Sequence, residues 1–78
     1  MINDLLPSLR WWDMVTTIIE RETPERQKAF RLRIRGVDLL SVAKQVNQEF
    51  GCKWTSGRVS ATEVNILRKI SDSMRLPS

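Results

Sequence analysis

The chain has 78 residues, a formal charge of +4, one cysteine and no histidine, which allows one domain at most, with a modest core. A lone thiol with no imidazole excludes a disulfide framework, a zinc site and a Ser-His or Cys-His nucleophile, and nine scattered carboxylates suggest no paired acids, so neither an enzyme nor a cofactor is expected. No apolar run nears the ~18 residues of a membrane span and no leader pattern opens the chain, so a cytoplasmic protein with no membrane contact is expected.

Taken in order, the chain predicts four helices. The first, near residues 6–21, opens around Asn3 or at Pro7, because proline suits a first helical turn. Its apolar residues Leu5, Leu9, Trp11, Trp12, Met14, Val15, Ile18 and Ile19 sweep an arc wider than one docking face needs. Laid across the other helices, it would bury Trp12 or Trp11 in the core. Left partly exposed, either tryptophan would anchor a second protein, or a second copy of the chain in a homodimer, since tryptophan favours interface centres.

Thr23-Pro24-Glu25 is a strong start for the second helix, near 24–35, with a hydroxyl cap, a proline and an acid in the first turn. Residues Phe30 to Arg35 alternate apolar with basic, the two-residue period of a strand. The cap, the helix formers from Glu25 to Ala29 and the closing Gly36 favour helix instead. Phe30, Ile34 and Val37 would then share a face, with Leu32 opposite, sandwiching this helix between the first helix and the last two. Lys28, Arg31 and Arg35 gather on the remaining side, either as solvated charge or as phosphate contacts.

The third helix, near 38–50, has Asp38 as N-cap and Leu39, Val42, Ala43, Val46 and Phe50 along one face. Gly51 is a left-handed stop, and Cys52, Lys53 and Trp54 carry the chain round, with Trp54 plugging the turn against Val59. The fourth helix, near 56–72, opens at Thr55 or Ser56 and turns Val59, Thr62, Glu63, Ile66 and Ile70 inward. Gly57, Arg58, Ala61, Val64, Asn65 and Arg68 then point outward or to the flank. The core expected is Trp12 or Trp11, Phe30, Ile34, Leu39, Val42, Val46, Val59, Ile66 and Ile70, in an all-α four-helix domain of residues 1–78. Residues 1–22 would form the N-terminal helix, 24–36 the supporting helix and 38–72 a helix-turn-helix.

From Thr55 onward, T-S-G-R-V-S-A-T-E-V-N-I-L-R-K-I resembles the promoter-reading helix in the fourth conserved region of primary-type bacterial sigma factors. The matching positions are Thr55, Arg58, Val59, Glu63 and Ile66-Leu67-Arg68-Lys69-Ile70. Arg26 to Gly36, R-Q-K-A-F-R-L-R-I-R-G, is similar to the helix preceding that family's helix-turn-helix. F-G-C-K-W makes a longer link than the family's turn. Ser56, Gly57, Ser60 and Ala61 stand where the family keeps large polar base readers, so Arg58 alone matches a promoter-contacting position. The run V-A-x-x-V-N-x-x-x-G-x-x-W-T-S also resembles the small helix-turn-helix of serine recombinases and phage regulators. These resemblances imply a transcription regulator acting on duplex DNA or with RNA polymerase.

The charge distribution points the same way. Residues 1–24 carry two Arg against four acids, and residues 25–78 carry eleven Lys or Arg against five acids. A basic field over the motif suits a polyanion. On the DNA reading, Thr55 and Ser56 meet phosphate at a helix N-terminus, Arg58 and Asn65 read base edges beside Ala61, and Arg31, Arg35, Lys53 and Arg68 add affinity. On the alternative reading, the same fold holds RNA polymerase or another regulator through Trp11, Trp12 and Val64 without reading bases, and Gly57, Ala61 and Val64 favour it because small apolar residues permit close helix contact and do not discriminate base pairs. With so few readers, dimerisation or recruitment by the polymerase is implied.

Overall fold

A computed structural model describes the backbone of residues 2–74 and the side chains of residues 11–74. The fold is all-α, with α1 (Ile2–Glu20), α2 (Pro24–Ile34), α3 (Leu39–Phe50) and α4 (Ser56–Met74), and no strand among the described residues. None of the described helices is long and apolar enough to cross a membrane. The α1 backbone starts ahead of Pro7, which near a helix start withdraws a single backbone donor.

The boundaries follow local chemistry. Thr23 Oγ1 accepts from Arg26 N at 3.4 Å with Pro24 in the first turn, fixing the start of α2. Asp38 caps α3 by accepting from Ser41 N at 3.0 Å and Ser41 Oγ at 2.7 Å. Gly51, at φ 66° and ψ 32°, ends α3 in the left-handed conformation, its N–H donating to Asn47 O at 2.9 Å. Thr55 Oγ1 accepts from Arg58 N at 3.2 Å and caps α4.

The interior is two clusters where one core was expected. Ala29, Leu32, Val42, Ala43, Val46, Trp54 and Val59 form the first, with Val37, Leu39, Phe50 and Cys52 packed at its edge. Val15, Ile18, Ile19, Phe30, Ile66 and Ile70 form the second, with Met14 beside it. Helix α2 belongs to both, which explains its alternating sequence. Phe30 and Leu32 are 200° apart on a helix, so one enters each cluster, while Arg33, pointing between those two directions, turns to α4. Full burial of Val42, Val46, Val59 and Ile66 contributes roughly 1.5–3 kcal/mol each.

Three expectations about the core are corrected. Ile34 is 63% exposed: it shares the Phe30 face but sits one turn further on, at the last residue of α2, where no helix covers it. Trp11 and Trp12 are 39% and 60% exposed, and Val15, Ile18 and Ile19 hold α1 in their place. The reason is reach: Trp11 lies level with Met74, the last described residue of α4, its Nε1 donating to Met74 Sδ at 3.2 Å. Finally, α1 rests chiefly on α4 and meets α2 mainly through Phe30, so α2 is covered by α3 and α4 more than it is sandwiched under α1.

Candidate nucleic-acid interface

Helix α4 buries Val59, Thr62, Ile66 and Ile70. At 100° per residue the opposite side carries Gly57, Ala61, Val64 and Arg68, all exposed, while Arg58 and Asn65 lie on the flank turned to α2. Ser56 and Thr55 are exposed at the helix start, and Lys53 is exposed in the preceding loop. This face is low in relief: an added Cβ at Gly57 would meet only Thr55 Oγ1, at 3.7 Å.

Residues 51–55 present α4, and they are held by Asn47, the N of the V-A-x-x-V-N run, to which the sequence pattern assigned no role. Asn47 Oδ1 accepts from Trp54 N at 2.6 Å while Asn47 Nδ2 donates to Trp54 O at 3.0 Å. The Cys52 thiol sits 3.4 Å from the same Oδ1. One amide thus satisfies both backbone groups of Trp54, and the indole fills the first cluster at 7% exposure. The signal available in sequence was an amide next to buried Val46 and four residues before the helix-stopping Gly51. Above the indole, the Arg58 guanidinium carbon lies 4.7 Å from the ring centroid, a cation–π contact.

The second candidate reader is differently placed. Asn65 Oδ1 accepts from Arg26 Nη2 at 3.0 Å. Arg26 Nε is 2.8 Å from Glu22 Oε1 without its N–H aimed at the oxygen, so that contact is ionic and not a hydrogen bond. Lys69 Nζ reaches the other Glu22 oxygen at 2.6 Å, and the Glu22 side chain is only 6% exposed. A bidentate grip on adenine needs both ends of an Asn amide, so Asn65 would first have to leave Arg26. Neither Glu22 nor Arg26 stands out in the sequence as a pair: Glu22 lies ahead of the Thr23 cap, outside both helices, where the i,i+4 rule for helical ion pairs does not reach.

Arg58, Ala61 and Asn65 share one shallow depression with Arg26 and Thr62. Arg31 and Arg35 are not brought to it; they line a separate groove with Lys28, Leu32, Glu49 and Phe50. Arg26, Phe30 and Arg33 of α2 meet α4, and Arg31 and Arg35 project from the other side of the helix. Lys28 is paired with Glu49 at 3.3 Å, and Arg33 with Glu63 at 3.0 Å, its Nη1 also donating to Val37 O at 2.7 Å. Trp11 and Trp12 form an exposed edge-to-face pair with centroids 5.1 Å apart, at the end of α4 remote from Arg58. Among the described residues no three His, Cys, Asp or Glu side chains stand together as metal ligands. No family model matches the chain, and neither a curated protein nor a solved structure does.

Proposed function

We propose that the protein is a DNA-binding transcription regulator in which α3, the loop and α4 act as a helix-turn-helix. Helix α4 would enter the major groove from Thr55 and Ser56 onward. The observation that carries this reading is the pairing of a low outward face, Gly57, Ala61 and Val64, with a single guanidinium at its edge, Arg58, already ordered on Trp54. Small side chains let a helix approach base edges closely, and arginine is the side chain best suited to a bidentate base contact. Lys53 and Arg68 supply phosphate contacts on the same side. So few readers imply help from a second copy or from RNA polymerase, and such a role would place the protein with the transcription machinery in the cytoplasm.

The test is a titration of wild type and Arg58→Ala against a duplex selected from a random pool and a scrambled duplex, at two salt concentrations. Arg58→Ala is expected to cost about 1–3 kcal/mol on the selected duplex and much less on the scrambled one. Four coincident curves would overturn the reading.

A second reading is favoured by the exposure of Trp11 and Trp12 beside Met74 and by the exposed small apolar face of Gly57, Ala61 and Val64, which allows close helix contact but discriminates no base pair. Here the fold serves to hold RNA polymerase or another regulator without reading bases, and Trp11, Trp12 and Val64 form the contact. Changes at these residues would then abolish capture of purified RNA polymerase while Arg58→Ala has no effect.

A further inference from the structure

Asn47, Trp54 and Arg58 form a connected chain running from the inside of the fold to the edge of the α4 face. Asn47 holds both backbone groups of Trp54, at 2.6 and 3.0 Å. The indole is buried in the same cluster as Val42, Val46 and Val59, whose close packing restrains it. Arg58 lies over that indole at 4.7 Å, and its backbone is fixed by the Thr55 cap at 3.2 Å. Among the described residues the Arg58 guanidinium spends no N–H donor on a protein acceptor. A cation–π contact restrains where the guanidinium sits without consuming the donors that base recognition requires.

We propose that Asn47 is a positioning residue for recognition. By clamping the Trp54 backbone it sets the indole platform that holds Arg58 ready for the O6 and N7 acceptors of one guanine in the major groove. This rests on the DNA-binding reading and adds to it the base that is read and the residue that fixes the reader. Arginine is a long chain whose freedom is lost on binding. An arginine already held over a buried ring has less to lose, and the gain goes to the one duplex that presents guanine at the correct place. Asn47 touches no DNA in this scheme. Its effect therefore belongs to discrimination between duplexes, whereas a general structural role would move affinity for all of them alike.

The experiment compares wild type, Arg58→Ala, Asn47→Ala, Asn47→Asp and Trp54→Phe. Each is titrated against a duplex selected from a random pool, the same duplex with 7-deazaguanine at each guanine in turn, and a scrambled duplex. Wild type is expected to lose about tenfold in affinity when N7 is removed from one particular guanine, and Arg58→Ala to be indifferent to that atom. Asn47→Ala and Trp54→Phe, folded by circular dichroism, should lose most of this discrimination while binding the scrambled duplex as wild type does. Asn47→Asp keeps the acceptor for Trp54 N and should recover part of it. If Arg58→Ala discriminates as wild type does, the assignment of base reading to Arg58 fails, and the positioning role with it. If Arg58→Ala loses discrimination while the folded Asn47 and Trp54 variants keep it, only the positioning role is overturned. Should the variants unfold, side-chain NMR of the wild type decides: ring-current-shifted Arg58 resonances support the platform, and resonances at free-arginine positions overturn it.

Discussion

Asp38 illustrates how much one exposed side chain sets. Its carboxylate accepts from the Ser41 hydroxyl first and the Ser41 backbone N–H second, and these bonds hold its pKa below the ordinary 3.8. A carboxyl whose folded pKa is depressed stabilises the fold fully above its unfolded value, and that contribution disappears as the pH falls through the folded value. Melting temperature should therefore decline below about pH 4, and Asp38→Asn, which keeps a cap but no charge, should show a smaller decline over pH 6 to 2.5. Gly57 offers the opposite kind of test. Its φ is not in the left-handed region and nothing crowds a Cβ there, so Gly57→Ala should raise stability by about 0.5–1 kcal/mol in urea denaturation. If α4 enters a groove, the same methyl group should weaken binding to a selected duplex. Tighter binding would argue that no close approach occurs at Gly57.

At the level of elements, Glu22 does what a longer linker would otherwise leave undone. It sits between α1 and α2, and its carboxylate draws in Arg26 from α2 and Lys69 from α4. Nearby, Gln27 Nε2 donates to the Glu22 carbonyl at 2.9 Å and to that of Glu20 at 3.4 Å. Glu22→Ala should lower stability by roughly 1–3 kcal/mol in urea, toward the smaller figure because half of the Lys69 side chain is in water. The helices themselves were readable from Thr23-Pro24, Asp38, Gly51 and Thr55, because caps and stops act within a few residues and need no tertiary context. What escaped was anything decided by where a neighbour ends. Ile34 has the right composition and the right face for burial, yet no helix extends over it. Trp11 and Trp12 reach the level where the described part of α4 stops. Asn47 stands in the V-A-x-x-V-N run, but its role stayed hidden because its partner is the Trp54 backbone, which leaves no trace in side-chain patterning.

For the molecule as a whole, the distribution of cations matters more than their number. The basic excess of residues 25–78 is divided in space: Lys28, Arg33 and Lys69 are matched by acids, and Arg31 and Arg35 project from the side of α2 away from α4. Helical periodicity places a charge around its own axis, and only packing says which way that axis faces the rest of the fold. Salt-dependent affinity separates these groups. If the protein binds duplex DNA as proposed, Arg68→Ala should lower the slope of log affinity against log salt by about 1, whereas Arg35→Ala should leave it unchanged. An equal effect of the two would require a duplex that wraps onto α2.

The placement of the three tryptophans carries a further consequence. Trp54 is enclosed by aliphatic side chains beneath a guanidinium, while Trp11 and Trp12 are in contact with water. Their light emission must differ accordingly, Trp54 contributing a bluer component shielded from a soluble quencher such as acrylamide and the α1 pair a redder, quenchable one. The protein therefore carries its own optical labels at two separated places. A ligand that engages the start of α4 will perturb the shielded component, and one that covers α1 will protect the other.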